Sequence, residues 1–421
     1  MRDGVGSRER QVAWRLTQVA ILAVTSLLVL SVADGWDEHG PAGGPGGPST
    51  VAEPATDKAP DRVDPGQLES ASSPEPTIAP DELRTFTLVA TGELLVHEFV
   101  ADTAALYGGD GFDFSPMFRR VRPILAGADL ALCHLETPLS PDNSKFEFYP
   151  LFLVPFQLAA AIGGAGYDGC SVASNHLLDD GESGVVATLG HLAAAGVAAS
   201  GAAADPTGVG PAWFSPGGVT VAHLSYTDTM NVASLPSDPP WLVNHLEGEG
   251  ILADADDAVA DGAEFVVVSL HFGKPEYQTG LSAEQSAIAE QLLASPDVDL
   301  VIGHGSHVVQ PVVRRNGKYA VVGLGNFLSN QPGDERRRCT ECPPATQDGL
   351  VAWFAVAERP DGSFTVVDAG YVPTWVDRRT FEIVPLGVDE PESIDPAVLA
   401  ESATRTAAVV EPALRPLEFG D

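Results

Sequence analysis

The segment "SVASNHLLDDGESG" (residues 171–184) passes from a short apolar run into a polar turn and then into an acidic stretch. The apolar run is typical of a buried strand, and the acids that follow suit the first turn of a helix, where the helix dipole favours negative charge. Asn175 and His176 lie at the corner between the two. The segment therefore predicts a strand-to-helix unit that carries an amide and an imidazole at the carboxyl end of its strand.

The same pattern recurs along the chain. Strands are predicted for "TFTLVATG" (85–92), "DLALCHLE" (129–136), "DGCSVASN" (168–175), "VTVAHLSY" (219–226), "EFVVVSLHF" (264–272), "DLVIGHGS" (299–306) and "YAVVGLGN" (319–326). Helices are predicted over 182–196 and 282–295, the second with Ser282 as its N-cap. Strands that alternate with helices predict an α/β fold with a largely parallel sheet covered on both faces. After Gly325 the pattern becomes strand-rich, in "LVAWFAVAE" and "SFTVVDAGYVP".

The two ends of the chain differ from this middle part. Four arginines precede an uncharged apolar run at 16–33, so residues 1–33 are interpreted as a signal peptide or an N-terminal membrane anchor. Residues 34–83 are rich in Pro, Gly and acids and predict a disordered linker. A folded domain is predicted over 84–386, and an acidic C-terminal tail over 387–421 with at most a short peripheral helix. The protein is expected to be exported, and to be either membrane-anchored or secreted.

Composition limits the classes of partner. The formal net charge of −35 argues against non-specific binding to nucleic acid or to anionic lipid surfaces. In an exported protein, Cys339 and Cys342 of "RRRCTECPP" favour a small loop disulfide. Cys133 and Cys170 fall in strand-like runs, where they can be buried thiols or a bridge between neighbouring strands.

Polar residues with metal-binding chemistry follow nearly every predicted strand. Because the carboxyl ends of parallel strands share one edge of a sheet, residues spread over more than 200 positions can converge there. The set has no thiolate and suits zinc, manganese or iron, and its carboxylates and imidazoles are enough for two metal ions and a hydrolysis or group-transfer reaction. A single histidine after a strand is also a common structural residue, His97 suits an ordinary surface position, and Asn326 suits a turn. The candidates are Glu93, His97, His134, Glu136, Asn175, His176, His271, His304, His307 and Asn326.

Several of these segments together resemble the poly-gamma-glutamate capsule synthesis protein (CapA) family. The resemblance lies in "TLVATGELLVHE", "DLALCHLETPLS", "GYDGCSVASNHLLDDGESGVVATLGHLAAAGV", "VVVSLHFGKPEY", "DLVIGHGSHVVQPV" and "YAVVGLGNFL", and it runs from about Thr85 to Leu386. Proteins of this family look like a branch of the calcineurin-like metallophosphoesterases. The resemblance therefore implies a four-layer α/β/β/α sandwich with a dinuclear metal site.

The resemblance also implies a role for each matching residue. His176 matches the histidine that would protonate a leaving group, and the metal ligands would be Glu93, Glu136, Asn175, His271, His304 and His307. The sequence departs from the family pattern at two positions: Glu93 occupies the place of an Asp, and His134 the place of an Asn. Because distances to a metal tolerate only tenths of an ångström, these departures make the integrity of the site an open question.

The function implied is synthesis, export or anchoring of poly-gamma-glutamate or a related anionic envelope polymer. Expected partners are that polymer, the membrane if the N-terminal segment is retained, and other membrane proteins of capsule synthesis. Arg336, Arg337 and Arg338 could receive the polymer's carboxylates, although a solvated loop explains them equally well. Two alternatives are a metal-dependent phosphomonoesterase or phosphodiesterase that uses the same site, and a non-catalytic polymer-binding or scaffold protein.

Overall fold

The computed structural model describes residues 83–231, 240–246, 248–332, 339 and 341–417. The predicted N-terminal segment, nearly all of the predicted linker and the arginines at 336–338 therefore lie outside the described residues.

Strands and helices alternate through the first three quarters of the described chain. The strands are β1 (Thr85–Leu95), β2 (Leu130–Leu135), β3 (Gly169–Ser171), β4 (Ala198–Ser200), β5 (Ala212–Phe214), β6 (Val221–Thr227), β7 (Phe265–His271), β8 (Leu300–His304), β9 (Val312–Arg315), β10 (Lys318–Val321), β11 (Asn326–Ser329), β12 (Asp348–Glu358), β13 (Phe364–Asp377), β14 (Glu382–Pro385) and β15 (Arg415–Pro416). The α-helices are α1 (Glu98–Gly108), α2 (Ser115–Phe118), α3 (Arg122–Leu125), α4 (Gln157–Ala165), α5 (Gly181–Ala194), α6 (Gly248–Ala260), α7 (Ala283–Ala294) and α8 (Pro396–Val410). Short 3₁₀ turns lie at Pro206–Gly208, Pro216–Gly218, Pro240–Leu242 and Pro344–Gln347.

These strands form two sheets. The first has the order β14-β13-β12-β1-β2-β3-β4, with β11 also paired to β1 and β15 to β13. Its β1 to β4 half is parallel, whereas β12, β13 and β14 are antiparallel. The second sheet has the order β5-β6-β7-β8-β10-β9 and is parallel except at its edge strands β5 and β9.

Apolar residues pack in three layers that separate the sheets and helices. The cluster between the two sheets joins residues of β1 and β12, such as Phe86 and Phe354, to Phe265 of β7 and Ile302 of β8. A second cluster packs α1, α4 and α5 against the other face of the first sheet, and a third packs α6 and α7 against the outer face of the second. The predicted four-layer α/β/β/α architecture is thus confirmed.

Local signals account for the helices beside the site. Ser282 caps α7 as predicted: its side chain accepts a hydrogen bond from the Gln285 backbone N–H at 3.0 Å, and the Gln285 side chain accepts one from the Ser282 N–H. Helix α5 begins at Gly181, directly after the Asn175–His176 corner, and the chain leaves it through Gly196 at φ +76°.

One strand predicted from the sequence forms two separate strands in the structure. Residues 319–326 were expected to be continuous, but β10 pairs with β8 in the second sheet and β11 pairs with β1 in the first. The chain crosses between the sheets at Gly325, whose φ of +69° and backbone contact with Asp348 O leave no room for a side chain. The crossing brings Asn326 to the first sheet.

The folded region extends beyond residue 386, where the sequence predicted a tail. Helix α8 has 15 residues, and Leu399, Ser402, Thr406 and Val410 are buried against β12 and β13. Among the described residues, no helix is long and apolar enough to cross a membrane.

Both cysteine pairs are disulfides. Cys339 and Cys342 form the predicted loop disulfide, and Cys133 and Cys170 bridge the registered neighbours of β2 and β3. The second pair settles the alternative between buried thiols and a strand-to-strand bridge.

Candidate metal centre

The strand ends bring distant residues into register. Glu93 on β1 is the direct neighbour of His134 on β2 and of Asn326 on β11, and His271 at the end of β7 is paired with His304 at the end of β8. The two sheets thus place the candidate residues at one end of the sandwich, as the sequence predicted.

Glu93 is held in place by backbone hydrogen bonds to Gly325 and Gly305. Gly92 and Gly325 let β1 and β11 approach so closely that a side chain on Gly92 would lie 1.9 Å from Gly325 O. The Glu93 N–H donates to that same carbonyl at 2.9 Å. Its side chain is fully buried, and Oε1 accepts a hydrogen bond of 2.8 Å from the Gly305 N–H. Glu93, which is one methylene longer than the Asp of the family pattern, is therefore accommodated by the surrounding backbone.

Glu136 follows β2 and is also fully buried, but neither of its side-chain oxygens accepts a hydrogen bond from any described residue. A buried carboxylate without partners carries a large desolvation cost. That burial raises the pKa of Glu136, and the nearby Glu93 raises it further, while His307 opposes the shift. Both oxygens are thus free for a ligand.

His307 lies between the two carboxylates. Its Nδ1 is 3.0 Å from Glu93 Oε2 and 3.3 Å from Asn326 Oδ1, and its Nε2 is 3.9 Å from Glu136 Oε1. Burial lowers the pKa of His307, but Glu136 and Glu93 outweigh that effect and raise it above the ordinary value. The Nδ1–H of His307 therefore points toward Glu93, and Nε2 faces Glu136.

These three residues could hold a metal ion. One ligand atom from each of Glu93, Glu136 and His307 lies within 4.8 Å of the others. Two carboxylates with one imidazole suit zinc, manganese or iron. The unpartnered oxygens of Glu136 fit such an ion, because a divalent cation would compensate the buried charge. A second ion stays a prediction.

The Asn175–His176 corner lies beside this triad. Asn175 is half-buried, and its Oδ1 has no hydrogen-bond partner among the described residues, which leaves the atom available as a ligand. His176 Nδ1 is 2.6 Å from Asp179 Oδ2, which also accepts a 2.7 Å hydrogen bond from the Phe152 backbone N–H. The Phe152 ring contacts the imidazole edge-on at 4.5 Å. His176 is thus oriented with Nδ1 toward Asp179.

The two other predicted histidine ligands, His271 and His304, lie beside His134, which was predicted only as a possible additional site residue. His134, His271 and His304 form a buried group: His134 Nε2 is 3.0 Å from His271 Nδ1, and the His134 and His304 rings stack at 4.1 Å. Burial lowers the pKa of all three well below the ordinary value for histidine, so they are neutral. His304 Nδ1 has no partner among the described residues. We refer to these three residues as the imidazole stack.

Two further candidates lie at the margin. His97 occupies the N-cap position of α1 without a side-chain capping hydrogen bond, and its Nδ1 is 3.2 Å from Leu95 O; burial lowers its pKa to about 3. Asn326 does more than hold a turn, because its Nδ2 donates to Gln331 Oε1 and to Thr346 O, both at 2.9 Å, while its Oδ1 faces His307. The predicted polymer-binding residues Arg336, Arg337 and Arg338 lie outside the described residues.

Sequence reasoning missed four residues that shape the site. Asp179 holds His176, and the Asn231 amide lies against the same ring with Nδ2 2.7 Å from Nδ1. Tyr277 and Gln331 contact His307 and Asn326. Of these, Asp179 alone carried a signal in the sequence, since it lies three residues after His176 and so within one turn of it.

Comparison with known proteins places these features in a family. Residues 87–331 match the model of "Bacterial capsule synthesis protein PGA_cap", which is more than half of the chain. Over 266 residues the chain is 26% identical to the capsule biosynthesis protein CapA of Bacillus anthracis, covering 59% of this chain and 61% of that protein. It is 24% identical over 274 residues to the PGA biosynthesis protein CapA of Bacillus subtilis, covering 62% and 67%. The chain thus spans about three fifths to two thirds of these relatives.

Solved structures similar to the chain include a phosphatase from Mycoplasma pneumoniae, with 10% identity and a TM-score of 0.41 over 69% of this chain and 94% of that one. They also include the calcineurin-like phosphoesterase YfkN from Bacillus subtilis, with 14% identity and a TM-score of 0.41 over 77% and 97%.

Proposed function

The chain belongs to the PGA_cap family of bacterial capsule synthesis proteins, and from that premise we propose that it serves the synthesis, export or anchoring of an anionic envelope polymer such as poly-gamma-glutamate. We place the folded domain outside the cytoplasmic membrane, because positive residues precede the apolar run at 16–33 and a long Pro- and Gly-rich stretch follows it.

We further propose that the domain acts on the polymer as a metal-dependent hydrolase or transferase. The observation that carries this proposal is Glu136, a fully buried carboxylate whose two oxygens accept no hydrogen bond from any described residue, although Glu93 and His307 lie beside it. Glu93, Glu136 and His307 would hold the ion, and Asn175 Oδ1 is the next available ligand. A divalent ion at this place supplies Lewis acidity and stabilises negative charge that develops on the attacked group.

His176 supplies a proton in this scheme. Its Nδ1 lies 2.6 Å from Asp179 Oδ2, and this contact holds the ring so that Nε2 can serve the leaving group. The ring is 7% exposed, so it can reach a substrate while its other side is packed on Phe152. A bound divalent cation would locally offset the strongly negative net charge of the chain and would allow an anionic polymer to approach.

Metal content is the direct test. The purified full chain is dialysed against Mn²⁺, Zn²⁺ or Fe²⁺ and then examined by elemental analysis and by thermal unfolding with and without chelator. We expect bound metal and a lower unfolding temperature in chelator, because an ion that binds only the folded state stabilises it. A metal-free chain with the same stability in chelator would instead favour the scaffold alternative.

Activity separates the two enzymatic alternatives. The metal-loaded chain is incubated with oligo-γ-glutamate and, separately, with chromogenic phosphomonoesters and phosphodiesters. Cleavage or transfer of the oligomer that His176→Ala abolishes supports the polymer reaction. Turnover confined to the phosphate esters, and abolished by the same substitution, supports the phosphoesterase that the His176–Asp179 pair also favours.

A further inference from the structure

Tyr277 has a strained backbone next to the triad. It lies in the loop between β7 and α7 at φ +61°, a conformation that a bulky L-residue rarely adopts and that is kept where surrounding contacts require it. The Tyr277 N–H donates to Ser306 O at 2.8 Å, so this loop is tied to the residue directly before His307. His307 itself has φ +57°. Two separate segments with unusual backbone, at Tyr277 and at His307, are therefore joined by a hydrogen bond.

The ring of Tyr277 covers that histidine. The Tyr277 and His307 rings are stacked, with centroids 5.6 Å apart and planes 29° apart. His307 contacts Glu93 and Asn326 through Nδ1, so the tyrosine ring restricts the remaining rotation of the imidazole.

The hydroxyl of Tyr277 joins a chain of hydrogen bonds whose directions can be assigned. Asn326 Nδ2 donates both of its hydrogens, to Thr346 O and to Gln331 Oε1. Because its oxygen is used in this way, Gln331 turns Nε2 toward Tyr277 and donates to the hydroxyl at 3.3 Å. Asn326 Oδ1 in turn accepts from His307 Nδ1 at 3.3 Å. The contacts run from His307 through Asn326 and Gln331 to Tyr277 and back to His307.

We propose that Tyr277 is a positioning residue for His307: together with Gln331 it holds the imidazole with Nδ1–H toward Glu93 and Nε2 toward the metal position. The inference rests on the proposed function, in which His307 is a ligand. A metal-binding histidine needs its ring orientation set by the partner of its other nitrogen, and loss of such partners typically weakens metal affinity by about 10- to 100-fold.

Cobalt binding to the full chain tests the inference, because Co²⁺ reports both affinity and ligand geometry in its visible spectrum. We expect Tyr277→Ala to weaken Co²⁺ binding by about 10- to 100-fold and to change the spectrum of the bound ion. Tyr277→Phe keeps the ring and loses the hydroxyl contact. Its Co²⁺ affinity should therefore lie between that of Tyr277→Ala and that of the wild type. The matched control is Tyr107→Phe, which removes a hydroxyl that donates to Thr380 O away from the site. Wild-type affinity and spectrum in both Tyr277 variants would overturn the inference.

A metal-free measurement separates this inference from the proposed function. In protein labelled with ¹⁵N-histidine, the Nδ1 proton of His307 should give a downfield resonance that exchanges slowly, assigned by its absence in His307→Gln. Tyr277→Phe should speed its exchange and Tyr277→Ala should remove it. If the wild type binds no Co²⁺, the proposed metal function fails, and this resonance still decides the inference: an unchanged proton in both variants contradicts it.

Discussion

The two groups of polar residues at the strand ends are equally buried and differ in what satisfies them. In the triad, Glu136 has two unpartnered oxygens and His307 lies between carboxylates that raise its pKa. In the imidazole stack, His134 is hydrogen-bonded to Ser171 and to His271, and burial keeps the rings neutral. Burial of a polar group is therefore no sign of function by itself, since His304 Nδ1 of the imidazole stack also lacks a partner among the described residues. What distinguishes the triad is a buried carboxylate that lacks a hydrogen-bond partner at both oxygens and lies beside a second carboxylate.

This contrast predicts different consequences of substitution. Changes in the triad should affect metal binding far more than stability, and changes in the imidazole stack should do the reverse.

Glu136→Gln should weaken metal binding by more than about 100-fold and should abolish metal-dependent turnover. Loss of a residue that only supports a ligand typically weakens metal affinity by about 10- to 100-fold, and loss of the ligand itself should weaken it more. In the absence of metal the same substitution should raise stability, since it removes a buried charge without partners. Metal titration and denaturant unfolding measure the two effects. Glu290→Gln, at an exposed position of α7, is the control. A destabilised metal-free Glu136→Gln variant would show that the carboxylate is structural.

Asp179→Asn should lower turnover by about 10²- to 10⁴-fold, the usual contribution of a general acid, because the substitution removes the carboxylate that orients the His176 ring through Nδ1. Metal affinity should be nearly unchanged. Asp180→Asn is the matched control, since the neighbouring Asp180 side chain contacts Lys145 and lies away from His176. Equal turnover of the two variants would remove His176 from the proton-transfer role.

His134→Ala should destabilise the fold by about 2–4 kcal/mol, because it leaves a cavity and breaks two buried hydrogen bonds. Denaturant unfolding of the metal-free chain measures this, with His191→Ala as the control for a half-exposed imidazole stacked on Phe156. A change in metal affinity as large as that of Glu136→Gln would mean that the imidazole stack belongs to the metal centre.

Acid should destabilise the metal-free protein through its buried neutral histidines. Burial lowers the pKa of His223 from the ordinary value of 6.5 to about 4. Between these two pH values the unfolded chain therefore binds a proton at His223 that the folded chain does not bind. Stability is therefore fully present above pH 6.5 and is lost as the pH falls toward 4. His223→Gln should recover about 1–2 kcal/mol of the loss at pH 5. Unfolding free energies between pH 4 and 7 test this, and parallel profiles for variant and wild type would contradict it.

Much of the fold could be read from local sequence. Alternating apolar runs predicted β1, β2, β7 and β8, and Ser282 with Gln285 predicted the start of α7, because propensity and capping act between near neighbours. The sequence also predicted which strand ends carry polar residues. It could not predict that 319–326 divides between two sheets or that α8 packs on β12 and β13, since those outcomes depend on which surfaces meet in the folded chain.

The site divides in the same way. The residue types at the strand ends follow from the amino-acid sequence alone, because strand period and chain order place them at one edge. Tertiary packing was needed to show that Glu93, Glu136 and His307 converge while His134, His271 and His304 stack together. The physical reason is that hydrogen bonding and desolvation are settled over a few ångströms between residues more than 200 positions apart, such as Glu93 and Gly305, and no local pattern encodes such distances.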